Sequence, residues 1–597
     1  MSKKRFFCLS AAVLATLSLI VSFFFLTRKN TDQRFEHYTR ELFCQEVASN
    51  TITLHYTLKN PEEYGISEGP ASYGSVSTDT ASMGAAAENA LASLHLYDRQ
   101  KLSRKNKLTY DILEETFAFS VDAAKYALYE EPLAPLTGTQ SQLPVLLSEY
   151  PFYDTSDVDT YLELLSETPD YFYEIAEFEK AKSDAGLFMA AYSADAIIEE
   201  CQTFIQMGTD NYLYSSFEER IQKMDISKEQ QEQYILANQK QIEEAVFPAY
   251  EGIIATLQKL RSTGQNLCGL CYLPDGKEYY ELLVASETGS ARSIPELQKL
   301  TESQMKDDLA AMQQVFSELS GTNALADDSS TENETASSAF SDIFQSQGTL
   351  LSDTNPAAIL ENLKSCMKND FPEPPDVNTN IKYVQESMEE YLSPAFYMIP
   401  AIDNTKNNVI YINQGHMPDD LSLFTTLAHE GYPGHLYQTV YFASTEPDPI
   451  RNLLGCGGYT EGWATYSEML SYYYAPISKE QAALLQHNAS IILALYALTD
   501  MGVHYDGWSF LDTVSFFRSY GITDTDAIED IYDLIIADPG NYLKYYIGYV
   551  EFLVLKKDAI EAWGDDFSQE RFHKAVLETG PTSFEILRKH ILGTEVF

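Results

Sequence analysis

Leu421-Ser422-Leu423-Phe424-Thr425-Thr426-Leu427-Ala428-His429-Glu430-Gly431-Tyr432-Pro433-Gly434-His435-Leu436-Tyr437-Gln438 is the most informative stretch of the chain. Leu421, Phe424, Leu427 and Ala428 keep helical spacing, which places His429 and Glu430 near the end of a helix. Neutral imidazole is a good zinc ligand, and a catalytic zinc uses three protein ligands plus an open position. A glutamate beside the first ligand is placed to take a proton from water. The familiar spacing, His-Glu-x-x-His, puts both histidines on one helical face. Here Pro433 stands where the second histidine would be, and the next histidine comes six residues after the first. Six steps of a straight helix turn the side chain roughly 120° away. Pro433 lacks an N–H, and Gly434 tolerates unusual backbone angles, so the pair is expected to break the helix and swing His435 back. The bland alternative is a surface helix end followed by a loop.

A third ligand must come from elsewhere. Glu461 follows the run Gly455-Cys456-Gly457-Gly458 and a candidate cap at Thr460, so it is expected to open a helix. Glu468, seven residues on, shares its face and suits a supporting role behind a ligand. Both are equally readable as ordinary acids of a solvated helix.

Working outward, most of the chain reads as helix. Ala85–Asp98, Thr109–Tyr129, Asp159–Ala185, Glu229–Leu260 and Ile294–Leu319 repeat apolar residues at three- and four-residue intervals. The clearest strand signal is a hairpin, Ala395–Ala401 and Val409–Asn413, just before the histidines. Its second strand is a candidate to pair with an extended peptide. The expected fold is therefore mainly α: a large multi-helix body with a small hairpin or sheet near the metal site. Residues 321–345 are rich in Ser, Thr and acids and read as an exposed loop. They divide a helical part, 30–320, from a part carrying the chemistry, 346–597.

Residues 1–29 read as a targeting segment. Lys3, Lys4 and Arg5 precede a 21-residue apolar run from Phe6 to Leu26, long enough to cross a bilayer. The expectation is an uncleaved anchor with the body outside the membrane, or a secreted protein if the segment is cleaved. Of 597 residues, 88 are acidic and 40 basic, for a formal charge of −48. Such a surface repels phosphate backbones and argues against nucleic acid as a partner. Seven cysteines make no disulfide framework, and Cys268 and Cys271 read as a local disulfide or two ordinary thiols.

These motifs resemble a bacterial family catalogued as domain of unknown function 885, which is similar to a branch of zinc peptidases with glutamate as third ligand. Its signature His-Glu-x-x-Pro-Gly-His is matched from His429 to His435, with Gln438 following. A second, Glu-Gly-Trp-Ala-x-Tyr-x-Glu, is matched by Glu461, Gly462, Trp463, Ala464, Tyr466 and Glu468. A third is matched by Pro539, Gly540, Tyr545 and Gly548, with echoes at Asp500, Gly502 and His504, at Phe572 and His573, and at Gly580 and Pro581. The family commonly has a further histidine where Leu436 stands, and an arginine ahead of Asp500 where this chain is apolar.

The resemblance implies a helical zincin-like metallopeptidase with Zn2+ on His429, His435 and Glu461, and Glu430 as general base. Tyr545 and His504 are the candidates to stabilise a developing oxyanion, with Asp500 orienting His504. The expected partner is a peptide or small amide substrate. The competing readings are a hydrolase of a non-peptide amide or ester, and a non-catalytic surface module that holds a structural zinc.

Overall fold

The computed structural model describes residues 30–593, apart from 68, 267, 321–354, 386–388, 390–391 and 417–419. The targeting segment 1–29 and the expected loop 321–345 lie outside the described residues. The chain is mainly helical with one three-stranded sheet. The helices form where the apolar periodicity placed them, shifted by a few residues at their ends: Thr80–Leu94, Arg104–Ala123, Thr155–Asp184, Lys228–Gln241 running on to Leu260, and Ile294–Ser320. Local chemistry sets several starts. Asp154 and Asp157 form a reciprocal capping box, as do Ser227 and Gln230.

Among the described residues, the three largest apolar cores hold the body together. The largest gathers residues from Leu270 to Leu587. It includes Leu297, Met305 and Met312 from one side of the expected boundary and Ile359 onward from the other. Chain on both sides of 321–345 thus shares one core. A second core, from Ala71 to Leu257, also takes in Val384 and Tyr411 from the sheet region. A third joins residues 35–113 to Ile450.

The sheet has the order β1 (Asn378–Tyr383), β3 (Asn407–Ile412), β2 (Ala395–Met398). β2 and β3 form the expected antiparallel hairpin, in register Ala395 with Ile412. β1 pairs in parallel with β3 and was not expected. Its sequence, Asn-Thr-Asn-Ile-Lys-Tyr, is polar and mostly exposed, so it carries no strand periodicity. β3 is consequently the central strand, with both edges filled. The strand expected to receive a peptide cannot do so, and the outer edge of the hairpin belongs to β2.

Candidate metal centre

Four helices build the site, α1 (Asp420–Glu430), α2 (His435–Ser444), α3 (Gly457–Ser471) and α5 (Asn541–Trp563), while α4 (Lys479–Met501) carries Asp500, which holds the start of α5. α1 stops at Glu430, and α2 starts afresh at His435. The break falls at the Tyr432–Pro433 bond, which is cis. Gly434 donates its N–H to the Ala428 carbonyl at 2.9 Å. A β-carbon there would stand 1.8 Å from the His429 carbonyl oxygen, so only glycine fits this turn. The Pro433 carbonyl accepts from Trp463 Nε1 at 2.9 Å and from Ser467 Oγ at 3.2 Å. α3 therefore grips the linker between the two histidines.

The two rings meet with centroids 4.8 Å apart and planes 80° apart. Nε2 of His429 and Nε2 of His435 lie 3.6 and 3.2 Å from the same Glu461 oxygen. Nδ1 of His429 lies 3.1 Å from Glu468 Oε2. Glu461 and Glu468 thus share a face, as their spacing required, and approach His429 from its two ring nitrogens. α3 begins at Gly457, so Thr460 is not its cap as expected, and Glu461 sits in the second turn.

The donor atoms of His429, Glu430 and His435 also fall within 4.8 Å of one another. Two carboxylates therefore compete for the role of third ligand. Glu430 Oε2 already accepts from the Tyr397 N–H at 2.8 Å. Glu461 presents an oxygen to both Nε2 atoms, and it is the better third donor on that geometry. Burial alone would lower the His429 pKa, but hydrogen bonds to Glu461 and Glu468 outweigh it and hold His429 well above the usual range. Burial likewise pushes Glu461 up, and its bonds to His429 and His435 win and hold it well below.

These groups open on a cleft of about 490 Å3 lined by Ala395, Phe396 and Tyr397 of β2, by Thr439, and by Tyr545 of α5. Three glutamates face it, and among the described residues no lysine or arginine belongs to its lining. A divalent cation fits this charge, and two imidazoles with one carboxylate form a donor set such a cation accepts. Tyr545 lies over His429, ring centroids 6.4 Å apart. Burial, then Glu461 and Glu430, push its phenol up, so it stays a proton donor. α5 reaches this position because Gly462 and Gly548 let α3 and α5 touch: a β-carbon on Gly462 would lie 2.4 Å from the Gly548 carbonyl carbon.

His504 is not brought to the cleft. It is fully buried, its Nε2 bonds the Ile535 carbonyl at 2.8 Å, and its Nδ1 accepts from the Leu270 N–H at 3.1 Å. Both nitrogens serve the backbone, which corrects the expectation that His504 faces the reaction. Asp500 does not orient it. Asp500 accepts from Tyr280 Oη and from the Gly540 N–H, the latter at 2.9 Å, and so pins the start of α5. His573 is also structural, held between Tyr466 Oη and the Asp370 carbonyl. Cys268 and Cys271 are free thiols. Tyr397 escaped sequence reasoning, because it acts through its backbone N–H and no residue pattern marks that.

Residues 71–591 match the family model described as bacterial protein of unknown function (DUF885). No curated protein matches the chain. Among solved structures, a "putative lipoprotein" from Colwellia psychrerythraea superimposes with a TM-score of 0.77 at 18% identity, covering 94% of this chain and 98% of that one. A second, of unknown function, from Shewanella oneidensis gives a TM-score of 0.62 at 14% identity over 87% and 93%. At these identities the likeness concerns the fold.

Proposed function

The chain belongs to the DUF885 family, and from that premise we propose that it is a zinc-dependent, zincin-like hydrolase that cleaves peptide bonds outside the cell. One observation carries the reading: Nε2 of both histidines converges on Glu461, with Glu468 behind His429. His429, His435 and Glu461 would hold the ion. Zinc bound there supplies a Lewis acid for the scissile carbonyl and lowers the pKa of water to about 7.

The remaining work falls to the chain's own groups. Glu468 accepts the Nδ1 proton of His429, which leaves the Nε2 lone pair facing the ion. Glu430, half-buried beside the ligands, takes the proton of the attacking water and returns it to the leaving amine. The Tyr397 N–H holds the Glu430 carboxylate in place. Tyr545 stays protonated and offers its hydroxyl to the oxyanion as charge develops there.

The edge strand β2 favours an extended peptide over another amide. Its residues Ala395, Phe396 and Tyr397 line the cleft, so a substrate strand can lie along that wall, with the Tyr397 N–H itself engaged by Glu430. A structural zinc would need no base, and Glu430 speaks against that alternative. Export through residues 1–29, with the body held at the membrane, is part of this proposal, and the lipoprotein descriptions of both fold neighbours support it.

Glu430→Gln is the direct test. Zinc content, read by mass spectrometry, is expected to match wild type, while cleavage of a peptide mixture falls by about two orders of magnitude or more. Full activity in that variant removes Glu430 as base.

A further inference from the structure

In a chain of charge −48, the stretch Arg99-Gln100-Lys101-Leu102-Ser103-Arg104-Lys105-Asn106-Lys107 holds five cations and no acid. It forms the corner before and within the first turn of the helix Arg104–Ala123. Cations in a first turn oppose the helix dipole, and this turn has no acid to offset them. Their placement is therefore not explained by the helix they sit on.

Two of the five are matched locally: Arg99 pairs with Asp111, and Lys101 with Asp98 at 3.0 Å. Arg104 and Lys105 are exposed and donate to carbonyl oxygens, of His590 at 3.2 Å and Glu446 at 2.5 Å. Such bonds leave Arg104 without a carboxylate partner among the described residues, while Lys105 also feels the Asp448 carboxylate, whose pKa it helps to hold down. The field is felt nearby: burial first, then Arg104 and Arg451, push His590 down to about 4. Beside the corner, Leu96 is 82% exposed, the highest value among the large apolar side chains described.

This corner adjoins the point where residues 1–29 join the body. Asp32 accepts from the Ser103 N–H at 2.7 Å and from Asn106 Nδ2 at 2.8 Å. Phe35 and Tyr38 pack on Tyr97 with centroids 5.6 and 5.1 Å apart. A body entering at this point stands beside the bilayer on the side of the cationic run.

We propose that the corner 95–107 docks on anionic phospholipid headgroups, with Arg104, Lys105 and Lys107 contacting phosphates and Leu96 dipping into the interface. The docking fixes the orientation of an otherwise strongly acidic body that an anionic surface would repel. It rests on the reading of residues 1–29 as a membrane anchor and not on the metal reading, and it survives if the metal reading alone fails.

The test uses the full chain reconstituted in vesicles of phosphatidylcholine alone or with 30% phosphatidylglycerol, followed by amide hydrogen exchange of peptides covering 94–108. Exchange is expected to slow at least about tenfold only with phosphatidylglycerol, and to recover in 0.5 M salt. Arg104→Gln/Lys105→Gln/Lys107→Gln is expected to abolish the protection, and Leu96→Ser to reduce it. Leu96, Arg104 and Lys105 are exposed and Lys107 is half-buried, and a circular dichroism melt checks that the variants are folded. Equal exchange in the two vesicle types, or unchanged protection in the triple variant, overturns the proposal.

Discussion

Replacing Glu468 isolates the contribution of a residue that touches no substrate in the proposed scheme. Its carboxylate stands 3.1 Å from His429 Nδ1. Glu468→Gln keeps an acceptor in the same place and removes only the charge. A charge-assisted hydrogen bond exceeds a neutral one by about 1.4 kcal/mol, and the side chain is only partly exposed, so zinc affinity should fall about tenfold. Glu468→Ala removes acceptor and charge together and frees the ring to rotate. The cost expected there is about 100-fold, the upper range for loss of a group supporting a metal ligand. The assay is competition with a chromophoric chelator at fixed pH, with tryptophan emission reporting that Trp463 keeps its packing. Both variants binding zinc as tightly as wild type would refute the claim that Glu468 orients His429. Failure of the wild type itself to bind zinc would instead refute the proposed function.

Other consequences are as direct. Tyr545→Phe should lower kcat by about 100-fold or more with zinc content and KM little changed, which single-turnover and steady-state assays separate. Gly434→Ala forces a β-carbon against the His429 carbonyl; a loss of about 3 kcal/mol or more and of metal binding is expected by denaturant titration. His504→Gln should leave the chemistry of the folded protein intact, because the ring serves Leu270 and Ile535. Its stability deficit should depend on pH. Burial lowers the folded His504 pKa to about 4, from 6.5. Between those values the unfolded chain binds the proton and the folded one does not, so the contribution of His504 is lost as pH falls through 6.5 towards 4. At pH 5 the deficit should be about 2 kcal/mol smaller than at pH 7, and a deficit that grows on acidification would contradict the neutral assignment.

The helices and the pairing of the two histidines were legible because both rest on local rules. Apolar spacing marks a helix whatever it packs on, and Pro433 with Gly434 announces a break at the only place that rescues the six-residue spacing. Glu461 and Glu468 were legible as a same-face pair for the same reason. What failed depended on partners far away in the chain. β1 is polar and becomes a strand only because β3 offers it a parallel edge. His504 and Asp500 share a helical face by arithmetic, yet each is claimed by backbone groups from Leu270, Ile535 and Gly540. The choice of β2 over β3 as the free edge followed from the same unseen strand. Leu297, Met305 and Met312 share one core with Ile359 and later residues, a contact between distant stretches that no local pattern announces.

The grip of Trp463 and Ser467 on a single carbonyl, that of Pro433, has a bearing on protein engineering. Residues 429–435 are not a portable cassette. Spliced into a foreign helix, they would carry both imidazoles but lose the external clasp that sets the angle between them, along with the carboxylate. The smallest transplantable piece runs from α1 through α3, about 50 residues, and its recipient must also supply a glycine-bearing surface like that of α5 for Gly462 to lie against.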